Sequence, residues 1–118
     1  MLNSFRLKAG ATSVILPIFI QDASNPEAGK TALAFGDVRA YYKREKEATP
    51  TEITVVTMTA GTWASGGFVK IDDTNLPGWY EFGVPNAVLA KGTARYAFLS
   101  VGGAADMYET PIYIELEP

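Results

Sequence analysis

Asp72-Asp73-Thr74-Asn75 sets four oxygen-bearing side chains just ahead of Trp79, Tyr80 and Phe82, with Leu76-Pro77-Gly78 between them. Residues of these types suggest two chemistries, an acidic loop that holds a metal ion or a set of rings that stacks on a sugar. A calcium loop needs about six to eight oxygens and follows Asp-x-Asp/Asn-x-Asp/Asn-Gly with a distant Glu. That spacing is missing, and adjacent Asp72 and Asp73 on extended backbone point to opposite sides. The stretch therefore reads as a turn entered before Pro77-Gly78, with no metal ligand set. A sugar platform needs exposed, coplanar rings beside polar groups, whereas rings at strand alternation are more often core or interface. Trp79 alternates with Glu81 and Gly83 and is the ring expected to face outward.

Other catalytic constellations are thin. The 118 residues contain neither Cys nor His, which removes disulfides, thiolate nucleophiles, the usual zinc sites and Ser-His-Asp triads. Glycoside hydrolysis needs two carboxylates about 5–10 Å apart across a cleft; Glu81 with Glu109 or Glu115 is the nearest candidate. No Gly-rich phosphate cradle precedes a helix. The chain is expected to be no enzyme and to carry no cofactor.

The elements that would position these residues are strands. Hydrophobic residues make up 47% and charged residues 19%, an ordered composition for a single domain. Alternating runs bounded by Gly, Pro, Asn, Asp and Ser predict eight strands: Phe5–Lys8, Ser13–Gln21, Ala34–Arg44, Glu52–Thr59, Gly67–Asp72, Gly78–Val84, Ala94–Val101 and Met107–Glu117. A short helical turn over 86–91, capped by Asn86 and ended by Gly92, should let Val88 or Leu89 plug one end of the core. The fold class is all-β, a single antiparallel sandwich of immunoglobulin-like or jelly-roll topology. Residues 1–12 form an N-terminal arm or edge strand, and 13–118 form the sandwich.

Val14–Ile20 breaks the alternation, because both of its faces are apolar. Something must cover the second face, and Pro17, which cannot donate to a ladder, places this strand at an edge or a bulge. The run is far shorter than the ~20 residues that span a bilayer, so no membrane role is expected. The net charge of −3 and the lack of a basic patch argue against nucleic acid.

Taken in order, Ile18–Gln21-Asp22, the Tyr41-Tyr42 strand, Ser65-Gly66-Gly67-Phe68, the Asp72–Gly78 turn and Val84-Pro85-Asn86-Ala87-Val88-Leu89-Ala90 resemble a group of small tailed-bacteriophage virion proteins over residues 18–116. The resemblance implies a structural β-sandwich of the particle, a capsid decoration or cement protein, with a tail or adaptor component as the alternative. It carries over no catalytic residue. The expected partners are the major capsid protein or other virion proteins and further copies of this chain, a trimer foremost, in a virion protein made in the host cytoplasm. A glycan-binding module built on Trp79 and Tyr80 is the competing class. The contact residues expected are Leu2, Phe5 and Leu7 of the arm, Ile15, Pro17 and Phe19 of the apolar strand, and Trp63 and Trp79.

Overall fold

Alternation builds most of what is seen. In a computed structural model that describes residues 3–118, nine strands form two packed sheets: β1 (Asn3–Lys8), β2 (Ile15–Phe19), β3 (Arg39–Arg44), β4 (Thr51–Ile53), β5 (Val56–Thr57), β6 (Gly67–Asp72), β7 (Leu76–Gly83), β8 (Tyr96–Gly102) and β9 (Thr110–Glu117). One sheet runs β1-β9-β8-β3-β4 and the other β2-β7-β6-β5. The fold is thus an all-β sandwich. Its sheets are mixed rather than wholly antiparallel, since β1 runs parallel to β9 and β5 to β6. With β2, β7 and β6 in the places of B, E and D, and β3, β8 and β9 in those of C, F and G, the neighbour order is the immunoglobulin one.

The inward rows make the core. Leu16 and Ile18 on β2 meet Tyr80 and Phe82 on β7 and Phe68 on β6, and across the layer stand Ala97, Leu99 and Val101 of β8 with Ile112, Ile114 and Leu116 of β9. β2 is an edge strand, the position that Pro17 demands. Residues Asn86–Leu89 form a single 3-10 turn that buries both Val88 and Leu89. Asn86 does not cap it: its side-chain oxygen accepts a hydrogen bond from the Ser13 N–H, 3.0 Å away, and so ties the start of β2 to this plug. The turn ends at Leu89, before Lys91 and Gly92.

Four expected boundaries move, each for a local reason. Glu52–Thr59 is two strands in different sheets, because the chain changes layer at Thr54-Val55 after Ile53 pairs with Ala40 and before Val56 pairs with Gly67. Ala34–Arg44 starts as strand only at Arg39; ahead of it the Asp37 carboxylate accepts the Ala34 N–H at 2.8 Å and closes a 3-10 turn. Met107-Tyr108 is drawn away from β9 to pair with Gln21-Asp22, so β8 and β9 are joined by the seven residues 103–109. Pro77-Gly78 lies inside β7, and the reversal is made by residues 73–75 instead.

The connection from β2 to β3 is long and is held by β7. Tyr80 is fully buried and stacks on Phe68 at 4.8 Å. Its hydroxyl donates to the Lys30 carbonyl at 2.7 Å and accepts the Leu33 N–H at 3.3 Å. Gly29 crosses Gly78 so closely that a Cβ on Gly29 would stand 2.5 Å from the Gly78 Cα, and Gly78 has φ +87°. Burial pushes the Tyr80 phenol up from 10 to about 12.

Tyr80→Phe removes both hydrogen bonds and leaves a buried carbonyl and N–H unpaired. Urea unfolding should show a loss of about 1–3 kcal/mol. Because the folded-state value is raised, this hydroxyl's contribution is intact below pH 10 and lost as pH rises from 10 to about 12; the Phe variant should lack that alkaline component, and an unchanged alkaline limb would refute the assignment.

Candidate functional site

The acidic stretch is spent on its own turn. The Asp72 carboxylate accepts the Thr74 and Asn75 N–H groups at 2.9 and 3.0 Å and the Asn75 side-chain amide at 2.7 Å. The Asn75 amide is the main reason its carboxyl sits below the usual range. Asp73 reaches the other way, accepting the Ala32 N–H at 3.1 Å and the Lys70 ammonium at 3.2 Å, and so holds Ala32 at φ +63°. Among the described residues no three acidic side chains gather as a metal group. Glu81 stands on the outer face of the four-stranded sheet, while Glu109 and Glu115 belong to the outer side of the five-stranded sheet. The core separates them, so they cannot flank one glycosidic bond.

What remains is the pair of outer sheet faces. On the four-stranded sheet, β2 turns Ile15, Pro17 and Phe19 outward, opposite Gly83, Glu81 and Trp79 of β7. Trp79 is 37% exposed, with its ring edge-on to Phe19 at 5.5 Å and 61°. Phe19, Pro17 and Trp79 therefore form one apolar patch.

The other end of this face is covered by the chain itself. Gly67 and Gly83 stand on neighbouring strands without a Cβ; Cβ atoms there would come 2.7 Å from Met58 and 2.0 Å from the Ala64 carbonyl oxygen. The loop between β5 and β6 lies in that groove. Trp63 fastens it by donating its indole N–H to the Val84 carbonyl at 3.1 Å, and Glu81 accepts the Gly61 N–H at 2.8 Å. Trp63 is thus half-buried as a fastener rather than displayed.

Phe5 and Leu7 also serve this chain. On β1 they lie beside Ile114 and Leu116 of β9 and pack against the core, so residues 3–8 form an edge strand of this sheet. Leu2 lies outside the described residues.

The five-stranded sheet holds a face that no candidate residue pointed to. Tyr41, Phe98 and Tyr113 are 37, 44 and 38% exposed on adjacent strands β3, β8 and β9. The half-buried Tyr96 ring joins two of them, 6.3 Å from Phe98 and 6.0 Å from Tyr113, while Tyr41 stands beside Ser100. The Lys43 ammonium lies 5.6 Å from the Phe98 ring centre. Alternation in Tyr96-x-Phe98 and in Ile112-Tyr113-Ile114 marks each ring as outward; only the neighbour order β3-β8-β9 assembles them. A separate hollow of about 290 Å³, lined by Leu33, Phe35, Phe68 and Lys70 among others, has Lys70 as its only charged group.

At the end of the aromatic face, Arg95 binds Glu45 through both carboxylate oxygens, at 2.6–3.1 Å. The Glu45 side chain is 8% exposed and that of Arg95 is 82% exposed. The Arg95 side-chain bonds are the main cause that holds the Glu45 carboxyl down from 4.5 to about 2. A depressed folded-state value means that this pair stabilises the fold above pH 4.5 and loses its effect as pH falls toward 2. The melting-temperature difference between the wild type and Glu45→Gln should therefore shrink over that interval. A difference that stays constant from pH 6 to pH 2 would sink the assignment.

Comparison with protein-family models and with curated proteins finds no match to this chain.

Proposed function

We propose that this chain is a structural protein of a phage particle and works by protein–protein contact, as a decoration or cement protein of the capsid. One observation carries the reading: the outward-facing rings form contiguous patches, while the acidic side chains that could do chemistry are tied into turns, loop fastenings and ion pairs. The order of motifs from Ile18 to Leu116 supports the phage setting. Contiguous exposed apolar patches on a small domain mark interaction sites. A tail or adaptor position would use the same surfaces.

The face that meets the particle is the Ile15-Pro17-Phe19-Trp79 patch. Two touching aromatics flanked by a proline and an isoleucine offer a rigid anchor, the kind of residue set that dominates binding energy at interfaces. Cementing follows from mass action, since a chain that binds the assembled shell and not the separated subunits stabilises the shell. Turnover plays no part.

The test adds purified chain to particles stripped of it and measures bound copies, the shell's disassembly temperature and the location of the added density in an image reconstruction. Wild type should bind and raise the disassembly temperature. Phe19→Ser combined with Trp79→Ala should weaken binding at least ~10-fold, the loss expected for one aromatic anchor, with its own melting transition kept. A chain that leaves particles unoccupied, or that instead binds a glycan array through Trp79, overturns the reading.

A further inference from the structure

The side of the four-stranded sheet away from β2 is left open by its own edge strand. β5 pairs with β6 only as far as Thr57 opposite Phe68, after which the chain turns to lay Met58 over Gly67. The Val56 N–H bonds the Gly66 carbonyl at 3.0 Å, and parallel pairing returns the Phe68 N–H to the Val56 carbonyl, so Phe68 turns its backbone groups toward β5. Lys70, two residues on, turns its N–H and C=O the same way. Among the described residues no strand stands opposite them, and no turn or loop group bonds to them. Val69, between Phe68 and Lys70, spends its own groups on β7, opposite Glu81.

Beside this open peptide unit lies the hollow of about 290 Å³ lined by Leu33, Phe35, Thr57 and Phe68. Its one charged group, the Lys70 ammonium, is drawn to the Asp73 carboxylate at 3.2 Å. We propose that the two together bind a short extended segment of a partner protein, one of whose residues exchanges both backbone hydrogen bonds with Lys70 and seats an apolar side chain in the hollow. The class of ligand follows from what is offered. A free N–H and a free C=O on one residue match the C=O and N–H of one residue in an antiparallel strand. Side chains directly opposite across such a pair share a face, and Lys70 shares its face with Phe68, which lines the hollow. The docked side chain is thereby aimed into it. With the one ammonium already paired, the hollow offers a charged group no counterpart, and an aliphatic or aromatic side chain is the occupant that fits.

The segment must be short. β6 ends at Asp72, where its register with β7 is already irregular, and the Asp72 carboxylate closes the turn through the Thr74 and Asn75 N–H groups. In the other direction Thr57 occupies the edge at Phe68. The opening between them admits a few residues of one chain and no second sheet, which keeps this contact distinct from open-ended strand addition. It lies on the far edge from β2 and is therefore separate from the patch of Phe19 and Trp79.

The test follows the isotopically labelled chain by NMR and needs no particle, so its failure and the failure of the particle reading are told apart. In the free chain the Lys70 amide should exchange with deuterium as fast as an exposed loop amide, while the Val69 amide is protected. The probe is the blocked peptide acetyl-Thr-Leu-Thr-amide, titrated through ~1 mM, the affinity that two net hydrogen bonds and one buried leucine support. Amide shifts should saturate and centre on Leu33, Phe35 and Lys70. The same peptide with Asp in place of Leu should bind about tenfold more weakly, and so should the peptide methylated on its leucine nitrogen, which cannot donate to the Lys70 carbonyl. Phe35→Ala, at a side chain 44% exposed, should weaken binding several-fold with an unchanged melting curve, whereas Phe98→Ala on the other sheet should leave it as it was. A Lys70 amide protected in the free chain, the lack of a saturable shift, shifts centred on Trp79 or Phe98, or equal binding of the Asp or methylated peptide overturns the proposal.

Discussion

The inward seat of Tyr80 is the constraint on which the rest of the sandwich depends. A buried phenol must bury its ring and satisfy its hydroxyl at once, and here the ring stacks on Phe68 while the hydroxyl takes one bond from, and gives one to, the connection between β2 and β3. Side chains alternate along a strand, so fixing Tyr80 inward fixes Trp79 and Glu81 outward. A slip of one residue would bury a tryptophan and a carboxylate and expose Tyr80 and Phe82. The same seat sets β2, whose Ile18 faces Tyr80 and whose Phe19 faces Trp79. The apolar patch on one side of the molecule is in this sense the reverse side of its core.

Much of this was legible in the sequence, because alternation is a local signal. Ile112, Ile114 and Leu116 against Tyr113, Glu115 and Glu117, or Tyr80 and Phe82 against Trp79 and Glu81, can be assigned to faces without knowing any neighbour. Signals that depend on pairing were hidden. Nothing local marks Thr54-Val55 as the place where the chain leaves one sheet for the other. Phe5 and Leu7 read equally as part of an arm or of an edge strand until β1 is seen beside β9. Likewise, Tyr41, Phe98 and Tyr113 are three unremarkable outward residues until strand order makes them neighbours. The acidic turn misled in a smaller way: Pro77-Gly78 looked like the reversal, but Asp72 closes it earlier by binding the Thr74 and Asn75 N–H groups, and Gly78 is needed instead to let Gly29 pass.

The two outer faces differ in how they are finished. The four-stranded sheet covers half of itself, since paired glycines at 67 and 83 leave a groove that Met58 and Ala64 fill and that Trp63 and Glu81 lock. Its remaining patch is small and apolar. Among the described residues the five-stranded sheet has no such cover over its rings, and its outward charges are interspersed, with Arg6 and Lys8 of β1 beside Glu115 and Glu117 of β9 and Glu52 of β4 beside Tyr41 of β3.

The edges of the two sheets are finished by other devices. A sheet edge with open backbone groups invites pairing with any other chain, and all four edges here are blunted. β4 has three residues and β5 two, too few to template a long partner. β2 has Pro17 at its middle, which removes a donor. β1 bears Arg6 and Lys8 along its length. Edge-to-edge association is thus resisted at every exit of both sheets, while the outer faces keep exposed rings, edge-on at Phe19 and Trp79 and stacked where Tyr96 meets Phe98 and Tyr113. Blunted edges of this kind resist open-ended strand addition, the route by which an exposed sheet aggregates.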